Sequence, residues 1–411
     1  MSSLMPLLAR QPIFNRKIQV VAYELLCRSA ALSEGLSAHD DRASSQVLLH
    51  SFTELSIDSV VGRHQAFINF TRNLLINPPP FDRRQLVIEV LEGQLVDGKL
   101  LHSLRDLRNQ GYTIALDDFV LNDETEALLA YADIVKLDLL ALSGAQLETH
   151  VERIKSLGIT LLAEKVETHD VFAQCKEMGF DLFQGYFLAH PKVIHGRRVA
   201  ENKQAVLQLM SALHDPDVPI DHIEKLIARD PALSYKLLRL VNSAAFALPR
   251  TIESLRQAIT LLGLNIIRNW VNLLAMANLG DKPLELSISA LTRARMCEMI
   301  AHQINPRQRH DSFFTVGLLS TLDAFMDAPL DELLESISLS SNLKDALLHH
   351  LGEEGKVLDI VEHYERAEWE KIDWRYLNNH RLEDSLLSRI YLDSLKWVAS
   401  TAETAGIKAI A

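Results

Sequence analysis

Through the first half of the chain, short apolar, β-branched runs alternate with longer amphipathic stretches. The runs cover residues 19–26, 66–70, 86–91, 112–116, 134–137, 159–163 and 182–183. Between them lie segments of helical period, among them 98–109, 124–131, 149–156 and 169–178. Repeated strand–helix units predict a parallel sheet with helices outside it. A (β/α)8 barrel and a doubly wound sheet both answer that description. The polar residues at the ends of the runs favour the barrel. They are Glu24, Asn69, Glu89 with Glu92, Asp117 with Asp118, Lys136 with Asp138, Glu164 with Glu167, and Gln184. In a barrel all strand ends meet on one face, where several strands build one site. In an open sheet they spread along a line. Neither GxGxxG nor GxxxxGK[ST] occurs, so no dinucleotide or P-loop fingerprint supports the open sheet. A barrel usually needs about 250 residues, so one or two units are expected to be trimmed.

Past residue 200 the period changes. Leu and Ala recur three and four apart over 202–213, 220–228, 232–241, 252–262, 265–276, 287–304, 312–326, 329–337, 342–350 and 386–399. Asp230 before Pro231 reads as an N-cap followed by Pro at the first helical position. The fold class is therefore an α/β TIM-like barrel over 1–197, followed by an all-α domain over 198–411.

Composition adds exclusions. The net charge is −12. An acidic surface repels phosphates, so nucleic acid is not the expected partner. Arg197 with Arg198, and Arg293 with Arg295, are small basic exceptions, read as solvated faces. Three scattered cysteines form neither a disulfide framework nor a CxxC pair, which fits a reducing cytoplasm. Residues 1–12 lack the apolar core of a signal peptide, and no run of about 18 apolar residues suggests a membrane span.

Glu24, Asn69, Glu89, Asp117, Asp118 and Glu164 form an all-oxygen donor set. Such a set selects Mg²⁺ or Mn²⁺ over softer metals. Adjacent Asp117 and Asp118 suit a carboxylate bridging two ions, the usual arrangement for in-line attack on a phosphodiester. Lys136 suits steering of a water or a phosphate oxygen. Taken singly, each acid also reads as a solvated strand end; the recurrence across strands carries the reading.

The ordered segments resemble the EAL family of cyclic di-GMP phosphodiesterases. They are Gln11-Pro12-Ile13, Tyr23-Glu24-Leu25-Leu26-Cys27-Arg28, Phe67-Ile68-Asn69-Phe70 and Ile88-Glu89-Val90-Leu91-Glu92. Asp117-Asp118-Phe119, Lys136-Leu137-Asp138, Ala163-Glu164-Lys165-Val166-Glu167-Thr168 and Gln184-Gly185-Tyr186 follow. The resemblance runs over about residues 5–195. It implies metal ligands at Glu24, Asn69, Glu89, Asp117, Asp118 and Glu164, and a lysine near the catalytic water at Lys136. It places Gln11, Arg28, Asp138 and Gln184 near the dinucleotide. Glu92 matches a glutamate that steadies the loop after the paired aspartates, and Glu167 a second glutamate close to the site, counted with Glu24, Lys136 and Glu164 as catalytic. Two departures stand out. Val120-Leu121-Asn122-Asp123-Glu124-Thr125 stands where the family has a Gly-Thr-Gly-Tyr-Ser-Ser loop, and Lys165 stands where it has glycine. Weakened hydrolysis, or binding without turnover, is the consequence to expect. Family barrels often pair through that loop, so a homodimer is a possible state.

The second half resembles the HDOD domain, a relative of HD-type phosphohydrolases. The matching residues are Asp230-Pro231-Ala232-Leu233, Leu240-Val241-Asn242-Ser243-Ala244-Ala245-Phe246, 252–259 leading to Leu261-Leu262-Gly263, and Phe314-Thr315-Val316-Gly317-Leu318-Leu319. In a metal-dependent HD enzyme such a run leads into adjacent His and Asp. Here that place holds Ser320-Thr321, so this half is expected to be catalytically empty and to regulate or to bind a protein partner. The pairs His214-Asp215, His310-Asp311 and His349-His350 read as turn, cap and helix-end residues. The four tryptophans read as packing.

Overall fold

The computed structural model describes residues 7–28, 57–78, 82–189 and 201–405, apart from 216, 229, 244–245, 247–251, 253, 278, 280–281 and 307–309. Two compact units emerge. One is Met1–Leu188 with Glu365–Ala367, the other Ala189–Tyr364 with Glu368–Ala411.

The first unit is a closed eight-stranded barrel in sequential strand order. Its strands are β1 (Leu7–Asn15), β2 (Val20–Arg28), β3 (Gln65–Phe70), β4 (Leu86–Val90), β5 (Thr113–Leu116), β6 (Ile134–Asp138), β7 (Thr160–Glu164) and β8 (Leu182–Gln184). From β2 to β8 all neighbours are parallel. β1 runs antiparallel to both β2 and β8 and closes the ring. The barrel expected from the sequence is present, but it is mixed rather than all-parallel, and β1 was not among the expected strands.

Strand period builds the site. Successive side chains point to opposite faces, so residues two apart share a face. Ile13, Ala22, Phe67, Val87, Ala115, Ile134 and Leu162 pack as one apolar layer, with Leu182 against it. Two residues further along their strands stand Glu24, Asn69, Glu89, Asp117, Lys136, Glu164 and Gln184. On the antiparallel strand the step runs backward, from Ile13 to Gln11. A dry floor thus supports a polar layer directly above it.

The segment 124–131, expected as a helix, is only a short 3-10 turn at Glu126–Ala130. Asn122 Oδ1 accepts the backbone N–H groups of Glu124 and Thr125, at 2.9 and 3.0 Å. Such local bonds compete with helix formation.

The second unit is helical. The segment 312–326 breaks into Asp311–Leu319 and Leu322–Met326. At the break the Ser320 and Thr321 hydroxyls donate back to the carbonyls of Gly317 and Leu318. Helices Gly352–Glu365 and Trp374–Asn379 were not expected from the pattern. Asn242 joins two segments: its amide donates to Leu238 O and Ile252 O, and its carbonyl accepts Ile252 N–H. Trp270, Trp397 and Phe314 pack with ring centroids 5.7 to 6.2 Å apart. Arg293, expected on a solvated face, is instead buried and pairs with Glu362 at 3.1 Å. Its helix Leu284–Ile304 is buried along much of its length, polar positions included, so the guanidinium enters the interior and takes a partner there. Arg197 and Arg198 lie outside the described residues.

Asp215 caps a turn, accepting Asp217 N–H at 2.9 Å. His214 Nε2 accepts from the Asn272 amide at 2.8 Å. Burial, then the nearby Arg268 charge, lowers its pKa to about 4. The folded pKa lies below the unfolded one, so stability is full above about pH 6.5 and falls as pH drops toward 4. The loss is at most about 3 kcal/mol, and less where solvent reaches the ring. All four tryptophans lie in the helical unit, so urea unfolding followed by their fluorescence reads this unit alone. His214→Gln should lose less stability than the parent between pH 7 and pH 4.5. Parallel losses in both proteins would remove His214 as the cause.

Candidate functional site

Lys136 sits at the centre of the barrel's polar layer with its side chain 1% exposed. Its Nζ lies 3.0 Å from Glu24, 2.7 Å from Glu89, 2.7 Å from Asp117 and 3.0 Å from Glu164. Gln184 Nε2 donates to Glu24 at 2.6 Å and to Gln11 at 2.8 Å. Strand register explains the convergence. Gln11 faces Glu24, Asn69 faces Glu89, and Asp138 faces Glu164.

One ammonium does not balance four carboxylates. Burial works against the Lys136 charge, but Glu24, Glu89, Glu164 and Asp117 outweigh it and hold its pKa well above the usual value. Burial, then the Glu24 charge, pushes Glu89 well up despite Lys136. Burial also raises Glu164 to about 8, against the pull of Lys136 and with the help of Asp117 and Glu24. Oε2 of Glu89, Oε2 of Glu164 and Oδ1 of Asn69 are buried without a hydrogen-bond donor. Orphaned buried acceptors of this kind are costly unless a cation or donor reaches them.

These donors fit a hard divalent ion. They are all oxygen, mostly anionic, and under-satisfied. Among the described residues, no group of three or more His, Cys, Asp or Glu is arranged as a metal cage as it stands. The reason is Lys136, whose ammonium occupies the centre on which the carboxylates converge.

A second acidic group lies at the rim. Asp118 directly follows Asp117 and takes a left-handed backbone, φ 44°. Burial raises its pKa, with the charge of Asp117 next, Lys165 opposing, and Asp138 and Glu92 adding to the rise. Asp138 forms a close ion pair with Lys165 and accepts Leu140 N–H at 2.7 Å. Lys165 is itself left-handed, φ 56°. That conformation costs a side-chain-bearing residue about 1–2 kcal/mol.

The structure therefore gathers Gln11, Glu24, Glu89, Asp117, Lys136, Glu164 and Gln184 in direct contact, with Asn69 in register beside Glu89. Asp118, Asp138 and the exposed Glu92 form the rim. Glu167 does not join them: it is exposed past the end of β7, off the inward alternation, and makes no bond to the cluster. Arg28 ends β2, and its side chain lies outside the described residues. Lys165 is the site residue that the sequence pattern left out of the constellation. Its signal was the lysine at a position where the family has glycine.

The loop after β5 is pinned. Thr125 Oγ1 donates to Val120 O at 2.6 Å, and Leu121 N–H donates to His150 Nε2 at 2.8 Å. In the helical unit, Ser320 Oγ accepts from Arg293 at 2.9 Å, and the serine and threonine there offer no metal ligand pair. His310 stands at the head of helix Asp311–Leu319 without capping it.

Comparisons agree with this architecture. The EAL domain model matches residues 29–191, and the HDOD domain model matches residues 200–357. Over 373 residues the chain is 35% identical to the cyclic di-GMP phosphodiesterase CdgJ of Vibrio cholerae, covering 89% of this chain and 86% of the relative. Over 400 residues it is 33% identical to YuxH of Bacillus subtilis, covering 95% and 97%. Among solved structures it is similar to Klebsiella pneumoniae BlrP1 in a manganese and cyclic di-GMP complex, at 25% identity and a TM-score of 0.38, covering 46% of this chain. The chain spans 56% of that structure's length. Barrel and helical unit, matched in the same order along one chain by relatives of nearly the same length, make this a member of the family that joins an EAL domain to an HDOD domain.

Proposed function

We propose that the barrel binds cyclic di-GMP and cleaves one of its phosphodiesters to the linear dinucleotide, with Mg²⁺ or Mn²⁺ as cofactor. The observation that carries this reading is the convergence of Glu24, Glu89, Asp117 and Glu164 on one buried point above the barrel floor. The likeness to CdgJ supports the substrate class. Glu24, Asn69, Glu89, Asp117, Asp118 and Glu164 would hold the metal. When bound, it would lower the pKa of a water and neutralise phosphate charge. The chain's own residues do the rest. Lys136 carries positive charge to the reacting phosphate. Gln184 fixes Glu24 through the 2.6 Å bond, and Gln11 fixes Gln184. Arg28 and Asp138 are assigned to the dinucleotide side, and Glu167, turned to solvent, is given no part in the step.

The domain boundary is placed near residue 197. The helical half, 198–411, acts as a regulatory or protein-binding module, and the protein works in the cytoplasm. Among the described residues no helix is long and apolar enough to cross a membrane.

A second reading is an inactive scaffold working through protein contacts, with the barrel paired as a homodimer. The pinned Val120–Thr125 loop favours it, because backbone freedom there is low. Incubation with cyclic di-GMP and Mn²⁺ or Mg²⁺, followed by chromatography, separates the two. The expected result is linear product from the parent and at least a hundredfold less from Glu24→Ala, the scale of a lost transition-state contact. Equal turnover by Glu24→Ala would remove the residue assignment. No turnover by the parent would leave the scaffold.

A further inference from the structure

Two cations face the acidic layer, and they differ in kind. Lys136 rises from the strand interior and is buried among four carboxylates. Lys165 reaches in from the rim, and its side chain is 53% exposed. It pairs with Asp138, whose own side chain is only 10% exposed, and its charge also acts on Asp118 and Glu164.

The backbone makes Lys165 an unusual choice. At φ 56° a glycine is relaxed and a lysine is strained. A left-handed side chain beside a functional cluster calls for a compensating contact. Here the contact is the ammonium at Asp138. Asp118, left-handed as well, lies among the charges of Asp117, Asp138 and Glu92, and the opposing cation acting on it is Lys165.

We propose that Lys165 is a resident cation that takes the place of one divalent ion on the Asp118–Asp138 side, so that the barrel binds a single ion. The inference rests on the reading of the acidic layer as a divalent-ion site. A tethered ammonium is present at every site whatever the ion concentration. A second ion held by Asp118 and Glu164 must either displace the ammonium from its place at Asp138 or tolerate its positive charge beside both ligands. The first position, on the Glu24, Asn69, Glu89 and Asp117 side, takes no ion pair from Lys165; an ion there shares these carboxylates with Lys136. Lys165 is thus a positioning residue that sets metal stoichiometry, not a group that touches the reacting bond.

The test is electron paramagnetic resonance of Mn²⁺ titrated into the full chain, comparing the parent with Lys165→Gly and Lys165→Met. Glycine removes both charge and backbone strain; methionine removes the charge and keeps the backbone. The parent should bind one Mn²⁺ per chain, and both variants two, with dipolar broadening from a coupled pair of ions. Two ions in the parent, or one ion in both variants, would overturn the inference while leaving the divalent-ion site intact. A gain confined to Lys165→Gly would overturn it also, because backbone rather than charge would then set the count. No binding by any of the three proteins would overturn the divalent-ion site itself, and the inference with it.

Discussion

Lys136→Met should destabilise the barrel by about 3–5 kcal/mol at neutral pH, the cost of removing one partner from a buried charge group. The lysine side chain is 1% exposed, and four carboxylates lie within 3.0 Å of its nitrogen. Methionine fills nearly the same volume, so little of the loss comes from packing. What goes is the one buried positive charge among the layer's described residues, along with a hydrogen bond to Glu24 at 3.0 Å. Glu89, already pushed up by burial, takes a proton more readily still, which caps the loss. The barrel unit contains no tryptophan, so far-ultraviolet circular dichroism in urea is the suitable probe. Chelator should be present in one arm and Mn²⁺ in the other. Mn²⁺ should restore part of the lost stability in Lys136→Met, because the ion then supplies the missing charge. A variant as stable as the parent in chelator would mean that the carboxylates are not held by this ammonium.

The same lysine marks the border of what could be read from the sequence. Seven strands were legible because each is a short apolar run, and the polar layer was legible because each polar residue stands two positions beyond an inward apolar one. Phe67 leads to Asn69, Val87 to Glu89 and Leu162 to Glu164. β1 was not legible. Its sequence, LLARQPIFN, places Arg10, Gln11 and Pro12 in mid-strand and breaks the apolar run. Its partners are β2 and β8, and the second of these lies far along the chain. Lys136 was legible as a site residue, but its place at the charge centre was not, because that depends on four other strands. Glu167 shows the converse. It matches a motif position, yet an irregular backbone after β7 turns it to solvent. In the helical half, apolar spacing ran on through Ser320-Thr321, where back-bonding hydroxyls end one helix and begin another. Arg293 looked like surface because period alone does not tell a buried arginine from an exposed one. Only its partner, Glu362, 69 residues later, makes the difference.

Gly185→Ala should cost about 3 kcal/mol, combining backbone strain of 1–3 kcal/mol with overpacking of similar size. Gly185 has φ 150°, and a Cβ there would lie 2.2 Å from the carbonyl oxygen and 2.5 Å from the nitrogen of Val166. Both contacts are backbone, so no side chain can turn away. The neighbouring bonds are equally fixed: Val166 N–H donates to Gln184 O at 2.9 Å, and Phe187 N–H donates to Val166 O at 3.1 Å. Moving this crossing displaces Gln184, and with it the bond that orients Glu24. Gly158 supplies the control. It is also left-handed, φ 74°, but a Cβ there meets nothing within 4 Å. Gly158→Ala should therefore cost only about 1 kcal/mol, the backbone share alone. Thermal melts of the two variants by circular dichroism measure the difference. If Gly185→Ala melts no lower than Gly158→Ala, the close approach of Val166 to β8 is not a constraint, and Gln184 is held to Glu24 by its own bond rather than by the backbone behind it.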